Sequence, residues 1–354
     1  MSRFLKEQYK SLEVYTPGEQ PKDTQYIKLN TNESPYPPAP SVVEALGKQD
    51  VENLRLYSDP TLSTLKGKLA ALYGVESENI FLSNGSDDIL NFAFMAFGQK
   101  GALFPDITYG FYTVFAELHA VEYEEIPLRE DFTIDYKDYL NKNKLIVIAN
   151  PNAPTGNSRP LEEIEEIIRT NPDSVVVIDE AYVDFGGTSA CKLINKYENL
   201  LTVRTFSKSR SMAGARLGYA IGAKGLIDDL MRLKFSTNPY NINRLTTTLG
   251  EATADAEDYY MEKCKEIIRV REYTAEKLKG LGFEVLPSKA NFLFAKSNDI
   301  DGEKLYKELK ARGILVRHFT KERICQFNRI TIGTQEQMEQ FLLAAEEILK
   351  GEKQ

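Results

Sequence analysis

The sequence predicts an α/β protein with a large domain, built on a mostly parallel sheet flanked by helices, and a smaller α+β domain. Apolar, β-branched runs at 144–151, 174–182 and 199–207 are separated by segments with other periodicity, which is typical of parallel strands buried on both faces. The chain of 354 residues is longer than a single hydrophobic core usually organises. From about residue 245 the pattern becomes helical and charge-rich, which indicates a second domain.

The first elements of the large domain follow from local patterns. Residues 79–85 form a short apolar run that enters a turn, which predicts a strand. Residues 86–98 then place apolar side chains at helical spacing. Asp87 and Asp88 lie in the first turn of that predicted helix, where the helix dipole favours negative charge. The run 144–151 predicts a fully buried strand.

The remaining elements continue the alternation of strand and helix. Residues 161–169 predict an amphipathic helix, and 174–182 and 199–207 predict two more buried strands. In the C-terminal part we expect a charged helix at 303–312. A final helix should begin with a capping box in which Thr334 and Gln337 take part. The apolar face of the helix at 161–169 consists of Leu161, Ile164, Ile167 and Ile168.

Three regions follow from this organisation. Residues 1–40, rich in Pro, Asn and Tyr, should form an extended N-terminal arm that belongs to the small domain or to a dimer contact. Residues 41–245 should form the large domain, and residues 246–354 the small C-terminal domain.

Composition excludes several classes of function. The net charge of −8 gives no basic footprint for nucleic acid. The three cysteines are far apart and form no CxxC pair, so neither a disulfide framework nor a zinc cluster is expected. The N-terminus lacks the apolar core of a signal peptide, and no apolar run is long enough to span a bilayer, so a cytoplasmic protein without membrane partners is expected. Because only two histidines occur, we expect a lysine, tyrosine or carboxylate to carry protons.

Lys208 is the first candidate for chemistry. It lies in the segment RTFSKSRSMAGARLGY (204–219), directly after a predicted buried strand. Most lysines are solvated, but a desolvated lysine has a lowered pKa and becomes an amine nucleophile that can form a Schiff base. Arg216 follows eight residues later among small side chains, where a guanidinium suits bidentate phosphate binding. Arg210, between them, is expected to face solvent.

Other polar residues also follow predicted strands. Asp179 could be a helix cap or an ion-pair partner, or it could hold a pyridinium ring protonated as an electron sink. Gly85 and Ser86 begin a helix whose free N–H groups could bind phosphate. Tyr109 could stack on a planar ring or belong to the core. The turn NPNAPTG (150–156) could present a polar side chain to a ligand or be only a tight loop.

In this order, the motifs resemble those of the fold-type I pyridoxal-phosphate aminotransferases of class I/II over nearly the whole chain. The spacing of Ser207-Lys208 and Arg216, with DEAY at 179–182 upstream, is highly specific. The resemblance implies a seven-stranded-type sheet and pyridoxal 5'-phosphate as cofactor. It also implies that Lys208 forms the covalent bond and moves the substrate proton. The implied contacts are Asp179 with the pyridinium, Tyr182 with the phenolic oxygen, Tyr109 with the ring face, and Gly85, Ser86, Asp87, Ser207 and Arg216 with the phosphate.

Two further implications concern neighbouring residues. Tyr57, in RLYSDP, matches a tyrosine that reaches the cofactor phosphate of the other subunit, so the resemblance implies a homodimer with shared sites. At the position of Ala153 the family usually has an asparagine, and that asparagine contacts the ring hydroxyl. Either Asn152 takes that role here, or Tyr182 acts alone.

Within this family the chain is most similar to the histidinol-phosphate aminotransferases. The segments VYTPGEQP (14–21), LNTNESPYPP (29–38) and RITIGT (329–334) carry this resemblance together with RLYSDP and RTFSKS. It implies ping-pong transamination in histidine biosynthesis between histidinol phosphate and 2-oxoglutarate, with imidazole acetol phosphate and glutamate as the other pair. The implied substrate-binding residues are Tyr15, Asn32, Arg317 and Arg329, although Arg317 could also be a strand residue that faces solvent.

Four alternatives differ in class or specificity. A threonine-phosphate decarboxylase would share the fold and cofactor, but its lysine motif is usually closer to SLTK than to the TFSK found here. An aromatic or broad-specificity aminotransferase is not excluded by the residues. A cofactor-free binding or scaffold protein is disfavoured by the intact candidate set around Lys208. A dinucleotide-dependent dehydrogenase is disfavoured because no G-x-G-x-x-G follows an early strand.

Overall fold

A computed structural model describes residues 2–10, 12, 18–20 and 26–352. Its largest sheet has seven strands in the order β2-β8-β7-β6-β5-β3-β4. Six of these strands run parallel and β8 runs antiparallel to both of its neighbours. The prediction of a mostly parallel sheet is therefore confirmed. The seven strands are β2 (Ile80–Ser83), β3 (Ala102–Pro105), β4 (Tyr123–Ile126), β5 (Leu145–Ala149), β6 (Val176–Asp179), β7 (Leu200–Thr205) and β8 (Gly218–Gly222).

Helices cover both faces of this sheet. Successive residues of the central strands point to opposite faces, so Ile146 and Val147 enter two different apolar clusters. One cluster takes its helical side chains from α3 (Ser63–Tyr73) and α6 (Leu161–Thr170), as Leu65 and Ile164 illustrate. The cluster on the other face takes them from α4 (Ser86–Phe97), α5 (Phe111–Leu118) and α7 (Lys224–Thr237). Burial on both faces explains why the central strands are uninterrupted apolar runs.

The C-terminal part forms a second layer of strands and helices. A four-stranded antiparallel sheet has the order β12-β13-β10-β9, and β1 pairs with β11 in a separate parallel ladder. The helices at 257–280, 302–311 and 335–352 pack against these strands through one apolar cluster. The strands are β1 (Ile27–Lys28), β9 (Phe283–Val285), β10 (Phe292–Ser297), β11 (Ile314–Leu315), β12 (Arg317–His318) and β13 (Asn328–Thr331). The helices are α8 (Arg244–Asp255), α9 (Glu257–Gly280), α10 (Gly302–Ala311) and α11 (Gln335–Glu352), and two short helices, α1 (Pro40–Val43) and α2 (Lys48–Glu52), precede α3.

The N-terminal segment joins this C-terminal layer. The amide of Leu29 donates to Leu315 O, and the amide of Thr331 donates to Leu29 O, at 2.8 and 2.9 Å. The predicted capping box is present at the start of α11, where Thr334 and Gln337 exchange hydrogen bonds of 2.9 and 3.3 Å. The boundaries at residues 41 and 246 stay predictions. Among the described residues, no helix combines the length and apolarity needed to cross a bilayer.

Candidate active site

A cavity lies at the carboxyl ends of the parallel strands. The cavity volume is about 170 Å³. Parallel strands direct their carboxyl ends to one edge of a sheet, so residues that follow different strands meet there. The residues from the sequence prediction that line this cavity are Ser86, Asp87, Tyr109, Asp179, Tyr182, Ser207, Lys208 and Arg216.

Lys208 is half-buried in the turn that follows β7. Its Nζ atom donates a 3.2 Å hydrogen bond to Thr31 O, which belongs to the N-terminal segment. Burial, and secondarily the positive charge of Arg329, lower the pKa of Lys208 to about 8. A lysine with this pKa has a substantial neutral fraction near pH 7–8, so it can act as a nucleophile and as a proton carrier.

Asp179 is the last residue of β6 and is almost fully buried. One carboxylate oxygen accepts a 2.8 Å hydrogen bond from the Tyr112 hydroxyl, and the other accepts a 3.1 Å bond from the amide of Ala181. Burial raises its pKa to about 6 in spite of these donors. A buried carboxylate of this kind is stabilised when a cation, such as a protonated ring nitrogen, lies beside it. Tyr112 was not predicted, although it lies one helical turn after Tyr109.

The start of α4 forms an anion pocket with Arg216. Gly85, at the N-cap of α4, has φ +88°, and no side chain caps the helix. A Cβ atom on Gly85 would approach Arg216 Nη2 to 2.7 Å, and one on Gly218 would approach Ser86 N to 2.5 Å, so neither glycine leaves room for a side chain. The N–H groups of the first helical turn have no partner within the helix and suit an anion. Arg216, held at φ +55°, faces the same place.

The Asp87 side chain connects two other candidates. One of its oxygens accepts a 2.7 Å hydrogen bond from the Tyr109 hydroxyl. The other oxygen forms an ion pair with Arg216 Nη2 at 3.0 Å. The sequence analysis assigned only the backbone amide of Asp87 to the phosphate. The structure adds a side-chain role, which is to fix Tyr109 and Arg216 at the rim of the cavity.

Tyr182 lines the cavity and contacts the N-terminal segment. Its hydroxyl accepts a 2.9 Å hydrogen bond from the Asn32 side chain, which is 1% exposed. Asn152 does not line the cavity. Its amide donates to Ile107 O and Thr155 Oγ1 at 2.9 and 3.1 Å, and its oxygen accepts from Thr108. Because its side chain is bonded to its own loop and to residues 107 and 108, outside the cavity lining, Asn152 does not support the predicted contact with a ring hydroxyl.

The other predicted residues lie around the cavity or away from it. Arg317 and Arg329 stand opposite each other on β12 and β13, and Arg329 Nη2 donates to Asn30 O at 2.9 Å. Tyr57 is 79% exposed and stacks on Tyr240 with ring centroids 4.6 Å apart, so it does not contribute to the cavity of its own chain. Tyr15 lies outside the described residues.

Arg210 does not face solvent, so that expectation was wrong. It is 4% exposed, and its guanidinium bonds Asp184 at 3.0 Å and Glu257 at 2.9 Å. No periodicity in this turn predicts the burial of Arg210, because both acidic partners come from other elements.

The donor set fits a planar, phosphorylated, positively charged ring that bonds to an amine. Lys208 offers the amine and Asp179 the carboxylate for a ring cation. The pocket of α4 and Arg216 offers donors for a phosphate. These groups enclose one cavity from different sides, so a single small molecule can contact all of them.

Comparisons with known proteins agree with this chemistry. Residues 24–344 match the family described as aminotransferase class I and II. The chain is 51% identical to the histidinol-phosphate aminotransferase of Brachyspira hyodysenteriae over 99% of this chain and 100% of that protein. It superposes on the crystal structure of the histidinol-phosphate aminotransferase from Clostridium acetobutylicum with a TM-score of 0.85 and 26% identity, over 92% of this chain and 99% of that one.

A second solved structure is the histidinol-phosphate aminotransferase from Sinorhizobium meliloti in complex with pyridoxal-5'-phosphate. Its TM-score is 0.83 at 25% identity, covering 92% of this chain and 91% of that one. The family match spans most of the sequence, and the first relative aligns over the full length. The chain therefore belongs to the class I and II aminotransferase family.

Proposed function

We propose that the protein is a pyridoxal-phosphate-dependent aminotransferase that exchanges the amino group between histidinol phosphate and 2-oxoglutarate. The observation that carries this function is the meeting of Lys208, Asp179 and the Arg216 pocket in one cavity. The relatives named above are histidinol-phosphate aminotransferases at up to 51% identity over the full chain. In the cell the reaction runs toward histidinol phosphate, with glutamate as the amino donor and imidazole acetol phosphate as the acceptor.

The cofactor site assigns one role to each wall of the cavity. Lys208 Nζ would make the covalent bond, and Asp179 would pair with the ring nitrogen. The amides of Ser86 and Asp87, with Ser207 and Arg216, would hold the phosphate, while Tyr109 would contact the ring and Tyr182 its hydroxyl. When bound, pyridoxal phosphate supplies an electron sink for the electron pair left at the substrate Cα.

Lys208 moves the proton in this proposal. Burial and the charge of Arg329 lower the pKa of Lys208 to about 8, so a large fraction of its Nζ is neutral near pH 8 and can accept a proton. With the cofactor and substrate bound, this Nζ would take the proton from the substrate Cα and would later release it to the cofactor carbon. Asp179 would pair with the ring nitrogen and would keep the ring protonated and electron-withdrawing.

Two arginines support a site for acidic substrates. Arg317 and Arg329 are Cα partners across the β12–β13 ladder. An arginine fork binds a carboxylate or a phosphate with similar geometry, so one pair can serve glutamate and histidinol phosphate in turn. Alternate occupation of one site corresponds to ping-pong kinetics.

We also propose a homodimer whose subunits complete each other's sites. Tyr57 is directed away from its own cavity and stacks on Tyr240, which favours a role toward a neighbouring subunit. Apolar side chains around it are unusually exposed for a monomer surface. Dimerisation and a cytoplasmic location both stay predictions. The exposed apolar residues within 43–57 are Val43, Val51, Leu54, Leu56 and Tyr57, and each of these residues is 48–79% exposed.

The test is a half-reaction screen on the purified holoenzyme. Histidinol phosphate, threonine phosphate, phenylalanine and glutamate are added separately, and the visible absorbance of the cofactor is followed. We expect histidinol phosphate and glutamate, the two amino donors of the proposed reaction, to convert the cofactor at least about 10-fold faster than the other two, which corresponds to about 1.4 kcal/mol in activation free energy. The Lys208→Ala variant should lose the native absorbance and the turnover.

Each other outcome contradicts a different part of the proposal. Conversion by phenylalanine but not by histidinol phosphate would favour the broad-specificity alternative. Release of carbon dioxide from threonine phosphate would favour the decarboxylase. Turnover that survived Lys208→Ala would remove Lys208 from its proposed role.

A further inference from the structure

A short N-terminal segment, residues 30–32, lies between the C-terminal sheet and the cavity. Its Thr31 carbonyl accepts from Lys208 Nζ at 3.2 Å, and its Asn32 amide donates to the Tyr182 hydroxyl at 2.9 Å. On its other side it is bound by β13, the strand that carries Arg329. The segment therefore touches both cofactor-facing residues from outside the large sheet.

The Thr331 hydroxyl holds Asn32 at two points. It accepts a 3.0 Å hydrogen bond from the backbone N–H of Asn32 and donates a 2.9 Å bond to Asn32 Oδ1. Asn32 itself has φ +57°, a left-handed conformation that needs support from its surroundings. That support is completed by Asn291, whose amide donates to Asn32 O at 3.0 Å. All three side chains are at least 98% buried.

This arrangement determines which way the Asn32 amide points. The Thr331 hydroxyl accepts from the backbone N–H of Asn32, and its own proton needs an acceptor, which the structure provides in the side chain of Asn32 at 2.9 Å. The atom that receives this proton must be an oxygen, so Oδ1 faces Thr331 and Nδ2 faces Tyr182. Nδ2 can only donate, so the Tyr182 oxygen accepts. The proton of Tyr182 is then free for a partner inside the cavity.

Tyr182 is well placed to use that proton. It lines the cavity, and Ala153, which belongs to the same apolar cluster, presents only a methyl group to the cavity. The amide of Asn152 already donates to Ile107 O and to Thr155 Oγ1, neither of which lines the cavity. On this side of the cavity, among the described lining residues, Tyr182 is thus the donor for the ring oxygen of a bound cofactor.

We propose that Thr331 is a positioning residue: it fixes the Asn32 amide so that Tyr182 donates its proton to the ring oxygen of pyridoxal phosphate. The proposal rests on the proposed function and adds to it two residues that need not touch the substrate. Asn32 acts here on Tyr182, in place of the direct substrate contact that the sequence resemblance implied. Since Thr331 lies two residues after Arg329 on β13, the same strand holds the substrate arginine and sets the proton of Tyr182.

The experiment is a spectrophotometric pH titration of the holoenzyme without substrate. Thr331→Val keeps the size of the side chain but removes the hydroxyl, so the Asn32 amide can turn its oxygen toward Tyr182 and capture the phenol proton. The ring oxygen then loses a donor and attracts the proton on the Lys208 nitrogen more strongly. We expect the pH midpoint of the visible absorbance to rise by about one unit, the size of one hydrogen bond to a charged group.

Three further variants separate this role from a general loss of packing. Thr331→Ser restores the hydroxyl and should titrate like the wild type. Thr274→Val removes a buried hydroxyl that donates only within its own helix, to Val270 O, and should leave the midpoint unchanged. Asn32→Asp replaces the donating amide by a carboxylate that can only accept, and an Asp tolerates the left-handed backbone, so it should raise the midpoint as Thr331→Val does. It also provides the test if Thr331→Val does not fold.

The outcomes distinguish the two proposals. A wild-type protein that binds no pyridoxal phosphate would overturn the proposed function and this proposal together. A wild type with a normal titration, combined with an unshifted midpoint in Asn32→Asp and in any folded Thr331→Val, would overturn this proposal alone. An equal shift in Thr274→Val would also overturn it, because the effect would then come from packing.

Discussion

The amine of Lys208 lies between the large sheet and the N-terminal segment, 3.2 Å from Thr31 O. Its low pKa has two causes, burial and the nearby charge of Arg329, and the second links the lysine to a strand of the C-terminal sheet. Burial also raises the pKa of Asp179, which lies at the end of β6. Burial thus brings the pKa values of the acid Asp179 and the base Lys208 closer together. Such perturbed pKa values are typical of functional sites.

The rate at which cofactor-free protein binds pyridoxal phosphate should follow the ionisation of Lys208. The neutral amine reacts, and its fraction grows as pH rises through the pKa. We therefore expect the rate to rise up to a midpoint near pH 8 and to level off above it. The measurement is the growth of the visible absorbance after mixing at pH 6.5–10.

Two comparisons complete that experiment. For lysine with a blocked α-amino group, free in solution, the rate of reaction with pyridoxal phosphate should keep rising toward about pH 10.5. In Arg329→Gln the midpoint should move upward, because a positive charge near Lys208 has been removed. If the wild-type rate kept rising toward the solution value, the lysine would not be desolvated.

Two turns follow neighbouring strands and are joined by one carboxylate. Tyr182 belongs to the turn after β6, and Lys208 to the turn after β7. Asp184 accepts hydrogen bonds from Arg204, from Ser209 at 2.5 Å and from Arg210 at 3.0 Å, so it ties the two turns together. These partners lower the pKa of Asp184 to about 2 although burial acts to raise it. The turns that carry Tyr182 and Lys208 are therefore held in place relative to each other by contacts of Asp184 that lie outside the cavity lining.

The substitution Asp184→Asn should destabilise the protein strongly. It leaves the buried guanidiniums of Arg204 and Arg210 without their shared carboxylate, and breaking a buried pair in this way typically costs about 3–5 kcal/mol. The free energy of unfolding from urea titration at pH 7 measures the effect. Because the folded-state pKa is lowered, the wild-type advantage is present above pH 3.8 and should shrink as the pH falls toward 2.

A matched surface substitution provides the control. Asp255 pairs with Lys68 but is 61% exposed, so Asp255→Asn should change the free energy of unfolding by less than about 1 kcal/mol. A similarly small effect of Asp184→Asn would mean that the two turns are held by other contacts.

At the scale of the whole molecule, buried cross-links join the large sheet to the C-terminal layer. Arg271 of α9 is 2% exposed and donates to Phe185 O and Ala290 O, each at 2.8 Å. Phe185 follows the turn of Tyr182, and Ala290 precedes β10. Arg323 similarly donates to Leu128 O at 2.7 Å across the two layers. The cavity therefore lies between parts of the chain that are tied together on more than one side.

The proposed dimer predicts that defects in different subunits can complement each other. Lys208→Ala inactivates a site, and Tyr57→Ala weakens phosphate binding in the partner's site. Mixed dimers of the two variants contain one site with both native residues. After subunit exchange of an equal mixture, we expect recovery of about a quarter of the wild-type activity at low cofactor concentration, because half of the dimers are mixed and each has one intact site.

The same exchange procedure applied to each variant alone is the control and should give no recovery. Absence of recovery in the mixture, with exchange verified by size and labelling, would show that Tyr57 does not act across a subunit boundary.

The sequence by itself determined the main sheet strands and the residues that follow them. Buried parallel strands are written as continuous apolar runs, and their carboxyl ends share one edge, so Asp179, Lys208 and Gly85 could be predicted to converge. Strands β3, β4 and β8 were not predicted. The first two are only four residues long, β4 carries two exposed glutamates, and β8 contains two glycines, so their pairing comes from the neighbouring strands.

Only the tertiary structure decided the partners of the site residues. Asn32 and Tyr182 are 150 positions apart, and Asn32 and Thr331 are 299 positions apart, so no local pattern links them. For the same reason, the expectation that Arg210 faces solvent was wrong, and the partners of the Asn152 amide could not be predicted. Hydrogen bonds of buried polar groups are satisfied by whatever element packs beside them, and that element is chosen by the fold of the entire chain rather than by nearby sequence.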